Sequence, residues 1–130
     1  MIKTNGNVYS TKSADIWLDS IGIIHINYKQ GMKINIKHAK ENHIKITEAS
    51  LNLKRPILAD IRKTKFVSKE ARDYFSKHEL LKIGLAGAII VDLPITKAMG
   101  NFFLKINRPL IDSQLFVTKT DAIEWLKKYL

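Results

Sequence analysis

The residues best suited to chemistry lie in and around a basic loop that joins an apolar run to a predicted helix. Its charged and polar members are Asp60, Arg62, Lys63, Lys65, Ser68 and Lys69. Backbone N–H groups at a helix start, together with the helix dipole, attract anions. The pattern therefore predicts a site for a phosphate or a carboxylate-bearing partner. The commoner alternative is that Ser68 simply caps the helix while solvent surrounds the cations.

A second candidate site is the run Gly100, Asn101, Phe102 and Phe103, which falls inside a predicted helix. A glycine within a helix costs about 1 kcal/mol relative to alanine, so something must compensate for it. Close packing of the helix on a sheet is one explanation, and an opening for a ligand or a dimer partner is the other. Two adjacent phenylalanines cannot both point fully inward, so one of them is expected on an exposed apolar patch.

The histidines raise the question of metal binding or acid–base catalysis, but their positions do not favour either. They are His25, His38, His43 and His78. They fall on different predicted elements, and no two have the spacing of a zinc-binding helix. Nor does the chain contain a nucleophile elbow, a P-loop or a dinucleotide-binding glycine motif. We therefore predict no catalytic residue, metal or cofactor, and we expect His43 and His78 to be satisfied side chains on apolar faces.

The elements that would position these residues alternate between buried runs and amphipathic helices. Residues 56–107 contain two successive units of strand, polar turn and helix, which is typical of a parallel sheet with crossover helices. The four predicted helices start at Asn35, Ser68, Pro94 and Thr118. Because isoleucine favours strands, Ile44 and Ile46 make a short strand an alternative to part of the first helix. Residues 16–28 are predicted to form an antiparallel hairpin with one face in water. The predicted order is β-β-β-α-β-α-β-α-β-α.

The composition describes one basic globular domain. With 130 residues, 45% of them apolar, the chain can bury a substantial core. It has no cysteine, so disulfides and thiolate zinc sites are excluded. No secretory leader or membrane-spanning run is recognisable, so we expect a cytoplasmic protein without membrane insertion. The net charge of +10 would assist nucleic-acid binding, but the lysines are scattered, which makes nucleic acid an unlikely partner.

Several short motifs carry a resemblance to a known family. They are Asp60-Ile61-Arg62, residues 68–75, residues 100–103, Asn107-Arg108-Pro109 and Glu124-Trp125-Leu126. Through these motifs the chain resembles the SpoIIAA-like (STAS) domains, and most of all a small bacterial branch of uncharacterised proteins. The resemblance covers residues 16–130. It implies a single α/β domain with a mixed sheet of about five strands and about four helices packed mainly on one face.

The resemblance also implies a binding role rather than catalysis. In relatives that regulate sigma factors, a serine at the helix start after this loop is phosphorylated and controls partner binding. The matching position here holds Lys69, and Ser68 stands before it in the capping position. The usual serine phospho-switch is therefore not expected. Other domains of this architecture hold small molecules or lipids.

Three hypotheses about function follow. The leading one is a regulatory or protein-interaction domain that binds an unknown protein through the basic loop and the Phe102–Phe103 helix. The alternative is a small-ligand or lipid-binding domain, which requires a closed apolar pocket beside Phe102 or Phe103. A weak nucleic-acid binder is the third. A homodimer is left open by the sequence.

Overall fold

In the computed structural model, which describes residues 6–77 and 82–130, strands and helices alternate along most of the chain. The strands are β1 (Tyr9–Ser10), β2 (Ala14–Leu18), β3 (Ile24–Tyr28), β4 (Lys33–Ile34), β5 (Arg55–Asp60), β6 (Phe66–Val67), β7 (Gly84–Ile90) and β8 (Asp112–Phe116). The main helices are α1 (Ile36–Ala49), α2 (Lys69–Ser76), α3 (Pro94–Phe102) and α4 (Lys119–Leu126). A π-helical turn, Phe103–Asn107, continues α3. The predicted order is confirmed, apart from β4 and β6, which are too short to leave a periodic pattern.

The main sheet is mixed and has six strands, in the order β1-β2-β3-β5-β7-β8. β1, β2 and β3 pair antiparallel, whereas β3, β5, β7 and β8 run parallel. The short strands β4 and β6 form a separate parallel pair. The predicted mixed sheet of about five strands is thus confirmed. Because Asp60 lies in register with Asn27 on one side and Ile90 on the other, the parallel strands end at one common edge.

Each face of the main sheet carries its own apolar core. Ala39 and Ile46 of α1 and Ala71 of α2 pack into the first core. The second core lies under α4, where Ala122 and Leu126 contribute side chains. Helix α3 packs on the first face, because Gly100 lies close to side chains of that core. Three of the described helices therefore cover one face and α4 covers the other, which agrees with helices packed mainly on one face.

Side chains cap three of the helices where the sequence predicted their starts. Asn35, Ser68 and Thr118 each accept a hydrogen bond from a backbone N–H three residues later. A short strand around Ile44 and Ile46 is not formed, because both residues lie within α1. Ile46 is buried in the first core while Ile44 is 60% exposed, as expected of a helix with one apolar face.

The hairpin of β2 and β3 exposes the face predicted to lie in water only in part: Asp15, Trp17 and Asn27 are half-buried there, and His25 is buried. His25 is only 2% exposed. It lies in register with Leu58, a residue of the core under α4, and its ring stacks on Trp17 at a centroid distance of 4.8 Å. Its Nε2 lies 2.7 Å from Oδ2 of Asp19, which is itself fully buried. The prediction was wrong at His25 because a polar residue with a buried polar partner leaves the same sequence pattern as a solvated one.

Candidate functional site

An apolar cavity of about 110 Å³ lies between the main sheet and the helices of the first face. Residues that line it include Ala59, Ala71, Phe75, Gly87, Met99 and Phe103. Cavities of roughly 150 Å³ with walls of this kind stay dry and can bind benzene. This cavity therefore has room for an apolar group of a few carbon atoms. It lies beside Phe103, where the ligand-binding hypothesis required a closed pocket, but it is partly open to solvent.

Two glycines border the cavity for different reasons. A Cβ atom at Gly87 would come no closer than 3.4 Å to another atom, the Oγ of Ser113, so this glycine leaves open space. A Cβ atom at Gly100 would lie 2.6 Å from Cδ2 of Leu115 and 3.3 Å from Cγ1 of Val91. Close packing of α3 on the sheet therefore accounts for the glycine within that helix.

Replacing Gly100 with alanine is expected to lower the free energy of unfolding by about 1 kcal/mol. The strain of overpacking is typically about 1–3 kcal/mol and outweighs the gain of about 1 kcal/mol in helix propensity. Turning Leu115 aside would not suffice, because Val91 also crowds the new methyl group. Urea unfolding measures the change. Ala98→Gly, at an exposed position of α3, serves as the control for propensity alone. A more stable Gly100→Ala variant would contradict the packing argument.

The adjacent phenylalanines point to different environments, as their adjacency predicted. Phe103 is half-buried and lines the cavity, whereas Phe102 is 47% exposed. Ile106, four residues after Phe102, is 66% exposed. Asn101 is half-buried and is not among the residues that line the cavity. Phe102 and Ile106 thus form an exposed apolar patch, called the α3 patch below.

Arg72 of α2 is the one charged residue in the cavity lining of the described part of the chain. Its Nη1 donates a hydrogen bond of 2.6 Å to the carbonyl oxygen of Val67, and its Nε donates one of 3.2 Å to Oδ1 of Asn107. The Asn107 side chain in turn donates to Asp73, whose other oxygen lies 3.0 Å from Nζ of Lys69. The guanidinium of Arg72 also lies 5.8 Å from the centroid of the Phe102 ring. This network ties α2 to the π-helical turn.

The start of the basic loop is held by an ion pair. Nε and Nη2 of Arg62 donate hydrogen bonds of 2.9 and 2.7 Å to the two carboxylate oxygens of Asp60. Burial alone would raise the pKa of Asp60, but these hydrogen bonds and the charge of Arg62 outweigh burial and lower the pKa below its ordinary value. Two predicted site residues are therefore brought together as partners of each other.

The remaining loop residues are arranged around the start of α2. The Ser68 hydroxyl accepts a 3.1 Å hydrogen bond from the backbone N–H of Ala71, so it caps the helix as expected. Lys69 pairs with Asp73 one turn along the helix. Lys63 is exposed, and its carbonyl oxygen accepts a hydrogen bond from Gly31. Anion binding by this loop stays a prediction.

Acid is expected to remove the stabilisation that Asp60 contributes. Because its pKa in the folded chain lies below the ordinary 3.8, the contribution is present above that value and is lost as the pH falls through the lowered pKa. The melting temperatures of the wild type and of Asp60→Asn should therefore differ most above about pH 4 and converge as the pH falls below the ordinary pKa of the carboxyl group. Scanning fluorimetry across this range tests the expectation. Glu124→Gln, which breaks an exposed pair with Lys127, should change little. A difference in melting temperature between the wild type and Asp60→Asn that stays the same at every pH would contradict the expected loss in acid.

The described histidines have partners within the chain: His25 with Asp19, His38 with Asn35 and His43 with Tyr74. The expectation that His43 is satisfied is thus confirmed, and His78 lies outside the described residues. Within residues 6–77 and 82–130, no three histidine or carboxylate side chains converge as a metal site would need. No helix in these ranges is long and apolar enough to cross a bilayer.

Comparisons with known proteins bear on family and fold. Residues 16–130 match a family described as Domain of unknown function (DUF7793). An uncharacterised protein from the DUF3478 family with a SpoIIAA-like fold, from Shewanella loihica PV-4, superimposes with a TM-score of 0.57 at 17% identity, over 97% of this chain and 95% of that one. A protein of unknown function from Arthrobacter sp. FB24 gives a TM-score of 0.34 at 19% identity, over 85% and 96%. No curated protein matches. At such identity the first similarity bears on the fold alone.

Proposed function

The chain belongs to the family described as Domain of unknown function (DUF7793) and has a SpoIIAA-like fold, and on that premise we propose that it is a non-catalytic binding domain for a small apolar ligand. The observation that carries the proposal is the apolar cavity of about 110 Å³ between the sheet and the helices of the first face. Phe103, which the sequence analysis predicted as a site residue, lines this cavity.

The size of the cavity supports a role in binding. Protein interiors are close-packed and contain few voids larger than a water molecule. A sealed, empty cavity costs about 24 cal/mol per Å³, so about 2–3 kcal/mol is the upper limit for this partly open one. A single larger side chain at Gly87 would fill part of the space and recover part of that cost. A binding role explains why the space is kept.

The basic loop supports a binding role less well. Arg62 pairs with Asp60, and Lys69 pairs with Asp73, so two of its cations already have carboxylate partners. A partner carrying a phosphate or carboxylate would have to compete with these pairs. Small-ligand binding, the alternative hypothesis from the sequence, is therefore preferred to protein binding through the basic loop.

Titration with benzene tests the proposal, with NMR of methyl and amide groups as the readout. Benzene should shift the signals of cavity residues such as Ala59, Phe75 and Met99, and it should raise the melting temperature in a concentration-dependent way. Signals of Ala122 and Leu126, in the core under α4, should stay unchanged and provide the control. Shifts spread over both cores, or none at saturating benzene, would contradict the proposal.

A second candidate function is protein binding through the α3 patch, because Phe102 and Ile106 are large apolar side chains left in solvent. Phe102→Ser should then abolish capture of a partner from the native lysate, or self-association in sedimentation experiments. The double variant Arg62→Ala with Lys69→Glu should retain both. Loss of binding in the double variant but not in Phe102→Ser would assign the contact to the basic loop. If neither variant affects binding, both surfaces are excluded as the binding site.

A further inference from the structure

Arg72 differs from the other arginine of the candidate site in having no carboxylate partner. Arg62 is held by both oxygens of Asp60. No described carboxylate lies within ion-pair distance of Arg72, and the neighbouring Asp73 pairs with Lys69 instead. Arg72 is half-buried, so water still reaches it. It therefore meets the cavity as a positive charge without a carboxylate partner in the described part of the chain.

The guanidinium of Arg72 is also held in place by hydrogen bonds that use only some of its N–H donors. Val67 and Asn107 engage its Nη1 and Nε atoms. A guanidinium has five N–H donors, and no described residue accepts a hydrogen bond from its Nη2. The two contacts fix the group while leaving part of its fork free. The N–H groups that remain, one on Nη1 and two on Nη2, can donate to the oxygens of a carboxylate.

The rest of the lining offers a ligand little polar recognition. Two hydroxyl-bearing residues, Tyr28 and Ser113, line the cavity, and both hydroxyls are engaged. The Ser113 hydroxyl donates to the carbonyl oxygen of Ile111. The Tyr28 hydroxyl is hydrogen-bonded to the side chain of Asn42. Burial raises the pKa of Tyr28 to about 12, so the hydroxyl stays neutral. Polar recognition would fall to Arg72, while the apolar walls would select the rest of the ligand by size.

We propose that the ligand is a small carboxylic acid, with its carboxylate on Arg72 and its short apolar tail in the cavity. This inference rests on the proposed function and narrows it to a class of ligand. The cavity volume of about 110 Å³ limits the tail to a few carbon atoms. A long acyl chain would extend beyond the cavity.

The test compares two probes with similar tails, pentanoate and 1-pentanol, by calorimetry and NMR at pH 7. A charge-assisted hydrogen bond is a strong contact, so pentanoate should bind the wild type at least about tenfold more tightly than 1-pentanol. Equal affinities would overturn the carboxylate inference and leave the proposed function standing. If neither probe shifts the signals of cavity residues, both the inference and the proposed function fail.

Variants of Arg72 separate charge recognition from folding. In Arg72→Gln the affinity for pentanoate should fall at least about tenfold, while that for 1-pentanol should stay within about threefold. Arg108→Gln is the matched control, because Arg108 is exposed and does not line the cavity. It should change neither affinity. Equal losses for both probes in Arg72→Gln would indicate a structural role alone and overturn the inference. Should that variant not fold, the comparison of probes on the wild type decides.

Discussion

Replacing Asp19 with alanine is expected to lower the free energy of unfolding by about 3–5 kcal/mol, because alanine removes the carboxylate from four hydrogen-bond contacts, each worth about 1 kcal/mol. Asp19 is 0% exposed. Its Oδ1 accepts hydrogen bonds of 2.9–3.0 Å from the backbone N–H groups of Ile21, Gly22 and Ile23, and its Oδ2 lies 2.7 Å from Nε2 of His25. Alanine would leave the buried N–H of Ile23 and the buried His25 ring without their acceptor, and it would remove an acceptor from the partly buried N–H groups of Ile21 and Gly22.

The effect can be divided between the backbone and the histidine. Asp19→Asn keeps an oxygen for the backbone N–H groups but removes the charge that faces His25, so its loss should be smaller. Asp15→Ala, at a half-buried position of β2, is the control for removing a carboxylate from the same strand. Urea unfolding at pH 7, followed by circular dichroism, gives all three values. A loss below about 1 kcal/mol for Asp19→Ala would contradict the buried pair.

Replacing Gly87 with valine should stabilise the fold and abolish ligand binding. Glycine inside a strand costs about 0.5–1 kcal/mol, and valine favours strands. A Cβ atom at this position would meet only Ser113 Oγ at 3.4 Å and Ile111 Cδ1 at 4.0 Å, which are ordinary contacts. Because Gly87 lines the cavity, the added methyl groups should fill part of it. We expect a gain of about 1 kcal/mol in the free energy of unfolding.

The opposite signs of the two effects make this variant informative. Urea unfolding measures the gain, and titration with benzene measures the loss of binding, which should exceed about tenfold. Gly87→Ala is the matched control, since one methyl group should give part of the stability while leaving most of the cavity. A destabilised Gly87→Val variant would contradict the open space. A stabilised variant that binds benzene as the wild type does would place the binding site elsewhere.

The order of elements and the helix starts could be predicted because their signals are local. Asn35, Ser68 and Thr118 each cap a helix through contacts within four residues of sequence. The fate of the adjacent Phe102 and Phe103 was likewise readable, because residues next to each other on a helix face different directions. Local chemistry therefore accounts for most of the fold.

The lining of the cavity and its arginine could not be predicted, because both depend on contacts between distant segments. Arg72 stands next to Ala71, a residue of the first core, but its partner Asn107 comes from a segment that follows α3. The pairing of Asp19 with His25 was hidden for another reason. It spans a turn that the sequence predicted correctly, yet the alternation of residues in β3 indicated solvent where the structure has a buried partner.

The position of α4 on the second face has a consequence for how the protein is made. Of the described helices, α4 alone packs on that face, and it comes after every strand of the main sheet. While the chain leaves the ribosome, the surface around Leu58 and Ala88 therefore has no cover of its own until α4 has been synthesised. Exposed apolar surface on an incomplete chain is prone to aggregation. The nascent protein should bind chaperones most strongly in the interval between the synthesis of β7 and that of α4.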